Sequence, residues 1–202
     1  MRLDHIALSA ATLEDGARHV ELALGVTPVA GGRHRHMGTH NLLVGLGDIY
    51  LEVIAIDPDA PKPDWPRWFD LDNLAGEPRL TNWIVACENL KSEIAAGPEG
   101  IGHPVKLERG NLHWQMAIPE DGKLPYDDAF PALIHWEGTD HPIHHIPDSG
   151  LRLVRLEVIH PRAGALRHVL EGRFHDPRVA IVEGAQKAIR AEFHGPNGEC
   201  FL

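Results

Sequence analysis

The sequence predicts an α+β protein built from one supersecondary unit made three times, and three observations carry that expectation. RLDHIALSAATL from Arg2, RLTNWIVACENL from Arg79 and RLEVIHPRAGAL from Arg155 align without gaps and at nearly equal spacing, and similarity at a long fixed period marks a repeated structural unit. Each copy reads as a short apolar strand, a break and the start of a helix. Each helix is then followed by two or three strand-like runs about Gly-containing turns.

The first unit covers residues 1–57. Leu3, Ile6 and Leu8 give a half-buried strand, and Thr12 with Asp15 three residues on gives a helix start, with apolar Val20, Leu22 and Leu24 beyond and Gly25 as the stop. The stretch GGRHRHMGTHN, Gly31 to Asn41, reads as a turn-rich loop at Gly31, Gly32 and Gly38, after which Thr39, His40 and Asn41 enter a hairpin ending at Glu52. His36 is expected to be exposed. A Pro-rich connector over 58–78 leads to the second unit, 79–138, whose helix NLKSEIAAG precedes a hairpin ending in PALIHWEG. A second connector, 139–150, carries His141, His144 and His145, read most simply as solvent-facing, and the third unit, 151–202, ends in a hairpin turning at Gly-Pro-Asn-Gly.

Composition narrows the function classes. A net charge of −10 without any basic run argues against nucleic acid and anionic membranes as partners. Asp4 and His5 interrupt what a signal peptide would need as an apolar core, so a cytoplasmic protein is expected. Cys87 and Cys200 have neither disulfide-framework nor metal-ligand spacing and read as thiols. Neither a nucleophile elbow, nor HExxH, nor a Gly-rich phosphate loop is present.

Taken in order, LDHI at the start, GGRH and GTHN, GDIYLEVIAIDP, PRWFDLDN, the Trp of LTNWIVAC, RGNLHW, PALIHWEG and HIPDSGLRL resemble the glyoxalase-like domain group of the vicinal oxygen chelate superfamily, which includes glyoxalase I, extradiol dioxygenases and bleomycin-resistance proteins. The resemblance spans nearly the whole chain and implies βαβββ units, the first two closing around a cup with metal ligands on the first and last strands of each. Carried over residue by residue, it points to His5 and Glu52 in the first unit and, in the second, to Asn82 aligned with His5 and His135 placed where Glu52 falls. His5, Glu52 and His135 form a two-histidine, one-carboxylate set suited to a divalent cation with open positions, Zn, Fe, Mn and Ni being indistinguishable. Asn82 is a poor ligand for such a metal, and Val158 stands where a third site would need its histidine.

The implied function is a metal-dependent isomerase, lyase or dioxygenase acting on a small oxygen-bearing substrate, with Glu52 and His5 as the catalytic groups. The alternative is a metal-free binding or sequestration protein of the bleomycin-resistance type, and a third reading is a structural or regulatory subunit with an occluded cup. His34, His40, Asn41, Asn82, Arg109, Trp83 and Trp114 are the candidate substrate contacts. Each has a plainer reading as well: His5 as a hydrogen-bonded core histidine, Glu52 paired with Arg109, Arg109 on the surface or holding an anion, and Trp83, Trp114 and Trp136 as core packing. Alternation puts His135 on the face opposite Ile134 and Trp136, and register decides which face meets the cup. An odd third unit leaves sheet edges for which a homodimer is one solution.

Overall fold

The first helix begins and ends where its caps predict. In the computed structural model, which describes all 202 residues, the Thr12 side chain accepts from the Asp15 amide, and Gly25 closes the helix in the left-handed region at φ 70°. The first unit runs β1 (Arg2–Ser9), α1 (Leu13–Leu24), β2 (Val29–His34), β3 (Thr39–Gly45) and β4 (Tyr50–Ile56). The second runs β5 (Arg79–Ala86), α2 (Leu90–Ala96), β6 (His103–Arg109), β7 (Leu112–Ile118) and β8 (Ala132–Glu137). The third runs β9 (Arg152–His160), α3 (Ala163–Leu170), β10 (Val179–Glu183), β11 (Ala188–Gly195) and β12 (Gly198–Phe201). This is the mixed α+β architecture of repeated βαβββ units.

The first two units share one curled eight-stranded sheet in the order β2-β3-β4-β1-β5-β8-β7-β6. Within each, the first strand runs parallel to the last, and the units join through the antiparallel pair β1–β5. That pair has the symmetry of a duplication: His5 stands opposite Ile84 and Ala7 opposite Asn82, with Ile6 and Trp83 between them. The sheet bends until its edge strands β2 and β6 meet, so its concave face becomes a cup.

Period-two alternation divides the apolar residues between the two faces. On the convex face, Ile6, Leu8, Leu51, Val53, Trp83 and Val85 join Val20 of α1 and Leu90 of α2 in one buried cluster. On the concave face, Ala7, Ile54, Ile84, Trp114, Met116 and Ile134 form a second cluster, capped by Trp68, Phe69 and Leu71 from the connector.

The third unit has a different topology and does not line the cup. Its sheet order is β10-β9-β11-β12, so the strand after the helix, rather than the last strand, lies parallel to the first. Leu153, Leu156, Val158 and Phe193 belong to the convex-face cluster, and Lys187 Nζ donates to the Thr81 carbonyl at 2.6 Å. No helix is long and apolar enough to cross a membrane.

The opening histidine stretch corrects one expectation. Gly31 and Gly32 lie inside β2 rather than in a loop, paired with β3 through Gly32–Asn41 and Arg33–His40. Side chains cross both positions: a Cβ on Gly31 would collide with the Asn41 amide oxygen, and one on Gly32 would lie 2.6 Å from Arg109 Cδ. Glycine is needed there for close approach, not for a turn.

Candidate functional site

Strand β1 carries the site through an irregularity. The β1–β5 register shifts between Leu3 and His5, leaving Asp4 as an extra residue, and a bulge of this kind re-aims side chains that strict alternation would send to opposite faces. Asp4 is buried and accepts on both oxygens: Oδ1 from His5 Nδ1 at 2.6 Å, Oδ2 from Trp136 Nε1 at 3.0 Å and His141 Nε2 at 3.1 Å. With Nδ1 held by Asp4, the second ring nitrogen of His5 faces Glu52, its Nε2 lying 3.6 Å from Oε2. The ring also stacks on Tyr50, centroid to centroid 4.4 Å.

Glu52 reaches the cup from β4, where alternation places it with Tyr50 and Ile54. Its Oε1 accepts from Asn41 Nδ2 at 2.6 Å, while Asn41 Oδ1 accepts from the Gly32 amide at 2.8 Å and Arg109 Nη1 at 3.1 Å. Every hydrogen-bonding atom of the Asn41 amide is thereby oriented. Arg109, at the end of β6, also donates Nη1 to His34 Nε2 at 3.3 Å. His34 must then carry its proton on Nδ1, which lies 3.0 Å from Thr39 Oγ1.

Charge states follow from these contacts. Burial pushes His5 down, but the hydrogen bond to Asp4 and the negative charges of Asp4 and Glu52 overcome it and raise its pKa to about 9. Burial raises Glu52, yet His5 and Asn41 lower it to about 2. Asp4 is likewise raised by burial and held well below the usual carboxylate range by His141 and His5. Burial, helped by Arg109 and opposed by the Glu52 charge, lowers His34 to about 4, keeping it neutral. At neutral pH the cup therefore holds an imidazolium between two carboxylates, with a guanidinium across Asn41.

These groups line one cavity of about 30 Å³ together with Tyr50, Trp68, Phe69, Trp114, Met116, Ile134 and Trp136. That is room for about two water molecules. The connector closes the cup: Trp68 and Phe69 sit in a short 3-10 turn over Trp68–Asn73, with Phe69 and Asp70 in the left-handed region at φ 59° and 51°. Such backbone costs about 1 kcal/mol or more per residue.

Of the sequence-predicted residues, the structure brings together His5, Glu52, His34, Asn41, Arg109 and Trp114. It leaves out the others. His135 lies on the opposite face of β8 from Ile134 and Trp136, with Nδ1 2.9 Å from the Cys87 carbonyl oxygen. The reason is register: β1–β4 pairs Ala7 with Glu52 and β5–β8 pairs Ile84 with Ala132, so Ala132, three residues earlier, stands where Glu52 stands. Trp83 is in the convex-face core, its Nε1 donating to the Ala129 carbonyl at 2.9 Å. His40 alternates away from Asn41 and lines no part of the cavity. Asn82 is wholly buried opposite Ala7, and neither of its amide atoms has a partner. The plainer reading of Glu52, an ion pair with Arg109, gives way to Asn41 standing between them.

Sequence reasoning missed Asp4, Tyr50 and the connector pair Trp68–Phe69; of the three second-unit tryptophans, Trp114 and Trp136 line the cavity and Trp83 does not. Sequence reasoning also placed His141 in solvent, whereas this side chain is buried against Asp4. The Asp-His pair was the one visible signal for Asp4.

The donor set does not fit a divalent cation. No group of three His, Cys, Asp or Glu side chains is positioned to hold one. His135 is absent from the cup, its second-unit counterpart positions carry Asn82 and Ala132, and the ring nitrogen of His34 that faces the cavity is taken up by the Arg109 guanidinium.

Comparison with known proteins agrees with this fold. A family model described as a glyoxalase-like domain matches residues 3–173. No curated protein sequence matches. Among solved structures, a hypothetical protein from Staphylococcus aureus is similar at TM-score 0.60 and 14% identity, covering 93% of this chain and 87% of its own. Methylmalonyl-CoA epimerase from Mycobacterium tuberculosis is similar at TM-score 0.44 and 15% identity, over 68% of this chain and 88% of its own. A hypothetical protein from Bacillus halodurans gives TM-score 0.46 and 13% identity, over 69% and 95%.

Proposed function

The chain belongs to the glyoxalase-like domain family of the vicinal oxygen chelate superfamily, and from that premise we propose that its cup is an active site for metal-independent proton transfer at a carbon beside a carbonyl group. The observation that carries this reading is the His5–Glu52 pair, an acid and a base facing each other at 3.6 Å on the wall of a buried cavity. That separation is longer than a hydrogen bond.

The chemistry follows from the charge states. As the protonated ring, His5 donates its Nε2–H to a substrate carbonyl oxygen, and Asp4 holds the other ring nitrogen and balances the charge. Glu52 Oε2 takes the proton from the neighbouring carbon. The C–H bond breaks, its electron pair becomes the carbon–carbon double bond of the enol, and the oxygen carries the proton supplied by His5. Reprotonation at carbon completes an isomerisation or an exchange. Glu52 is a weak base while it faces the His5 imidazolium directly; a substrate oxygen that enters between them and takes up the His5 proton weakens the main cause of its depressed pKa. Substrate enters by displacing Trp68 and Phe69.

Proton NMR in D2O tests this against a panel of small carbonyl compounds with exchangeable hydrogens at the adjacent carbon. Loss of the C–H signal of at least one compound, dependent on wild-type protein and absent with His5→Ala, supports the reading. Binding without exchange across the panel would favour a sequestration protein instead.

A further inference from the structure

We propose that Arg109 is a fixed carboxylate receptor in the cup, so that the molecules it accepts are small organic acids with an apolar body; the inference rests on the cup being the binding site. Four observations carry it.

The first is the state of the guanidinium. Arg109 lines the cavity, and its Nη1 donates only to neutral acceptors, His34 Nε2 and Asn41 Oδ1. The nearest wall carboxylate, Glu52, is engaged by Asn41 and His5. With Nη1 spent on these two acceptors, Nε and Nη2 keep the side-on fork that a ligand carboxylate fills bidentately.

Secondly, the position is built. Arg109 comes from the edge strand of the second unit and crosses the edge strand of the first over Gly32, where a Cβ would lie 2.6 Å from its Cδ. Asn41 and His34 then hold its end. A surface arginine would need neither the glycine nor two buried partners.

Thirdly, the remaining walls are apolar. Trp114, Trp136, Met116 and Ile134 come from the second unit, and the connector lays over them Trp68 and Phe69, the pair that an entering body displaces. Such a lining takes up a hydrocarbon or aromatic body while one polar anchor fixes its orientation.

The last is relative placement. Asn41 touches Arg109 through Oδ1 and Glu52 through Nδ2. An acid anchored at Arg109 therefore extends past Asn41 toward Glu52 and His5, presenting the carbons nearest its carboxylate to the acid–base pair. The positive charge that a divalent cation would provide for substrate oxygens is already present as an arginine side chain.

Calorimetric titration of chelator-treated protein with phenylacetate and with phenylacetamide, its neutral counterpart, tests the assignment. Phenylacetate is expected to bind at least tenfold more tightly. Arg109→Gln should weaken phenylacetate binding at least tenfold, with Arg109→Lys intermediate. Gly32→Ala keeps the arginine but displaces it, and should weaken phenylacetate binding in the same direction. Circular dichroism melts establish that each variant is folded.

Equal binding of acid and amide, or indifference to Arg109→Gln, overturns the carboxylate assignment and leaves the cup as a binding site. Binding that appears only with added zinc or manganese overturns it as well. No heat with either compound, in a protein that still catalyses carbon–hydrogen exchange, overturns the assignment while the acid–base reading stands; loss of both overturns both.

Discussion

The two walls of the cup come from the same unit made twice, yet one carries the acid–base pair and the other, Arg109 at its edge apart, is apolar. In the first unit, β1, β3 and β4 contribute His5, Asn41 and Glu52, while the matching strands of the second contribute Ile84, Ala132, Ile134, Trp114 and Met116. Their backbones remain related: His5 opposite Ile84 and Ala7 opposite Asn82 exchange with each other when the units are exchanged, and both strands carry the same one-residue register shift. Duplication has kept the scaffold and divided the labour. One wall holds charges in a mutually satisfied network, and the other offers surface to an apolar body.

The largest effect should come from removing the base on the polar wall. Glu52→Gln keeps the Asn41 contact available but cannot accept the proton, and exchange in D2O should fall by about 100-fold or more. Retention of wild-type exchange would place the base elsewhere.

Making the walls alike again should harm the protein instead of improving it. Ala132→Glu puts a carboxylate where Glu52 stands in the other unit, but with Ile134, Met116 and Trp114 around it and, in place of the His5 imidazolium, only the uncharged amide of Asn82. A buried carboxylate without a charged partner costs on the order of 3 kcal/mol, which lowers Tm by roughly 6–12 °C in a chain of this size. Thermal melts check this; an unchanged Tm would mean that the second wall has polar partners of its own.

Acidity separates the walls more gently. His5 has its pKa raised to about 9 from an ordinary 6.5, so its contribution to stability is fully present below pH 6.5 and is lost as pH rises toward 9. Glu52, lowered from 4.5 to about 2, contributes above pH 4.5 and loses that contribution as pH falls toward 2. Asp4→Asn removes the closest partner of His5. Its melts should therefore lie below wild type near pH 6, with the gap narrowing by pH 9; a constant gap would mean that His5 gains nothing from Asp4.

The smallest effect concerns Trp83, which sits behind the cup. Trp83→Phe loses one buried hydrogen bond to Ala129, about 1 kcal/mol, and should shift Tm by roughly 2–4 °C while leaving exchange in D2O unaltered. A change in exchange rate would bring this side chain into the site.

Much of this architecture was legible in the sequence because local signals fixed it. The duplicated Arg-Leu segments gave the units, Thr12 and Gly25 bounded the first helix, and His5, Glu52, His34 and Asn41 fall on one face of their strands. What stayed hidden depends on register and on contacts between distant segments. A strand's alternation says that His135 opposes Ile134 and Trp136, but only the pairing of β8 with β5 says which set meets the cup. Gly31 and Gly32 look like a loop until the side chains that cross them, from Asn41 and Arg109, are known. The burial of His141 requires Asp4, which lies at the other end of the chain, and the Pro-rich connector gives no sign of laying Trp68 and Phe69 over the cavity.

The most direct test of a metal-independent polar wall is the rate of carbon–hydrogen exchange in D2O by one protein preparation before and after exhaustive chelation. An unchanged rate, abolished by Glu52→Gln, is the predicted result. A rate that disappears on chelation and returns with a stoichiometric divalent metal would contradict it.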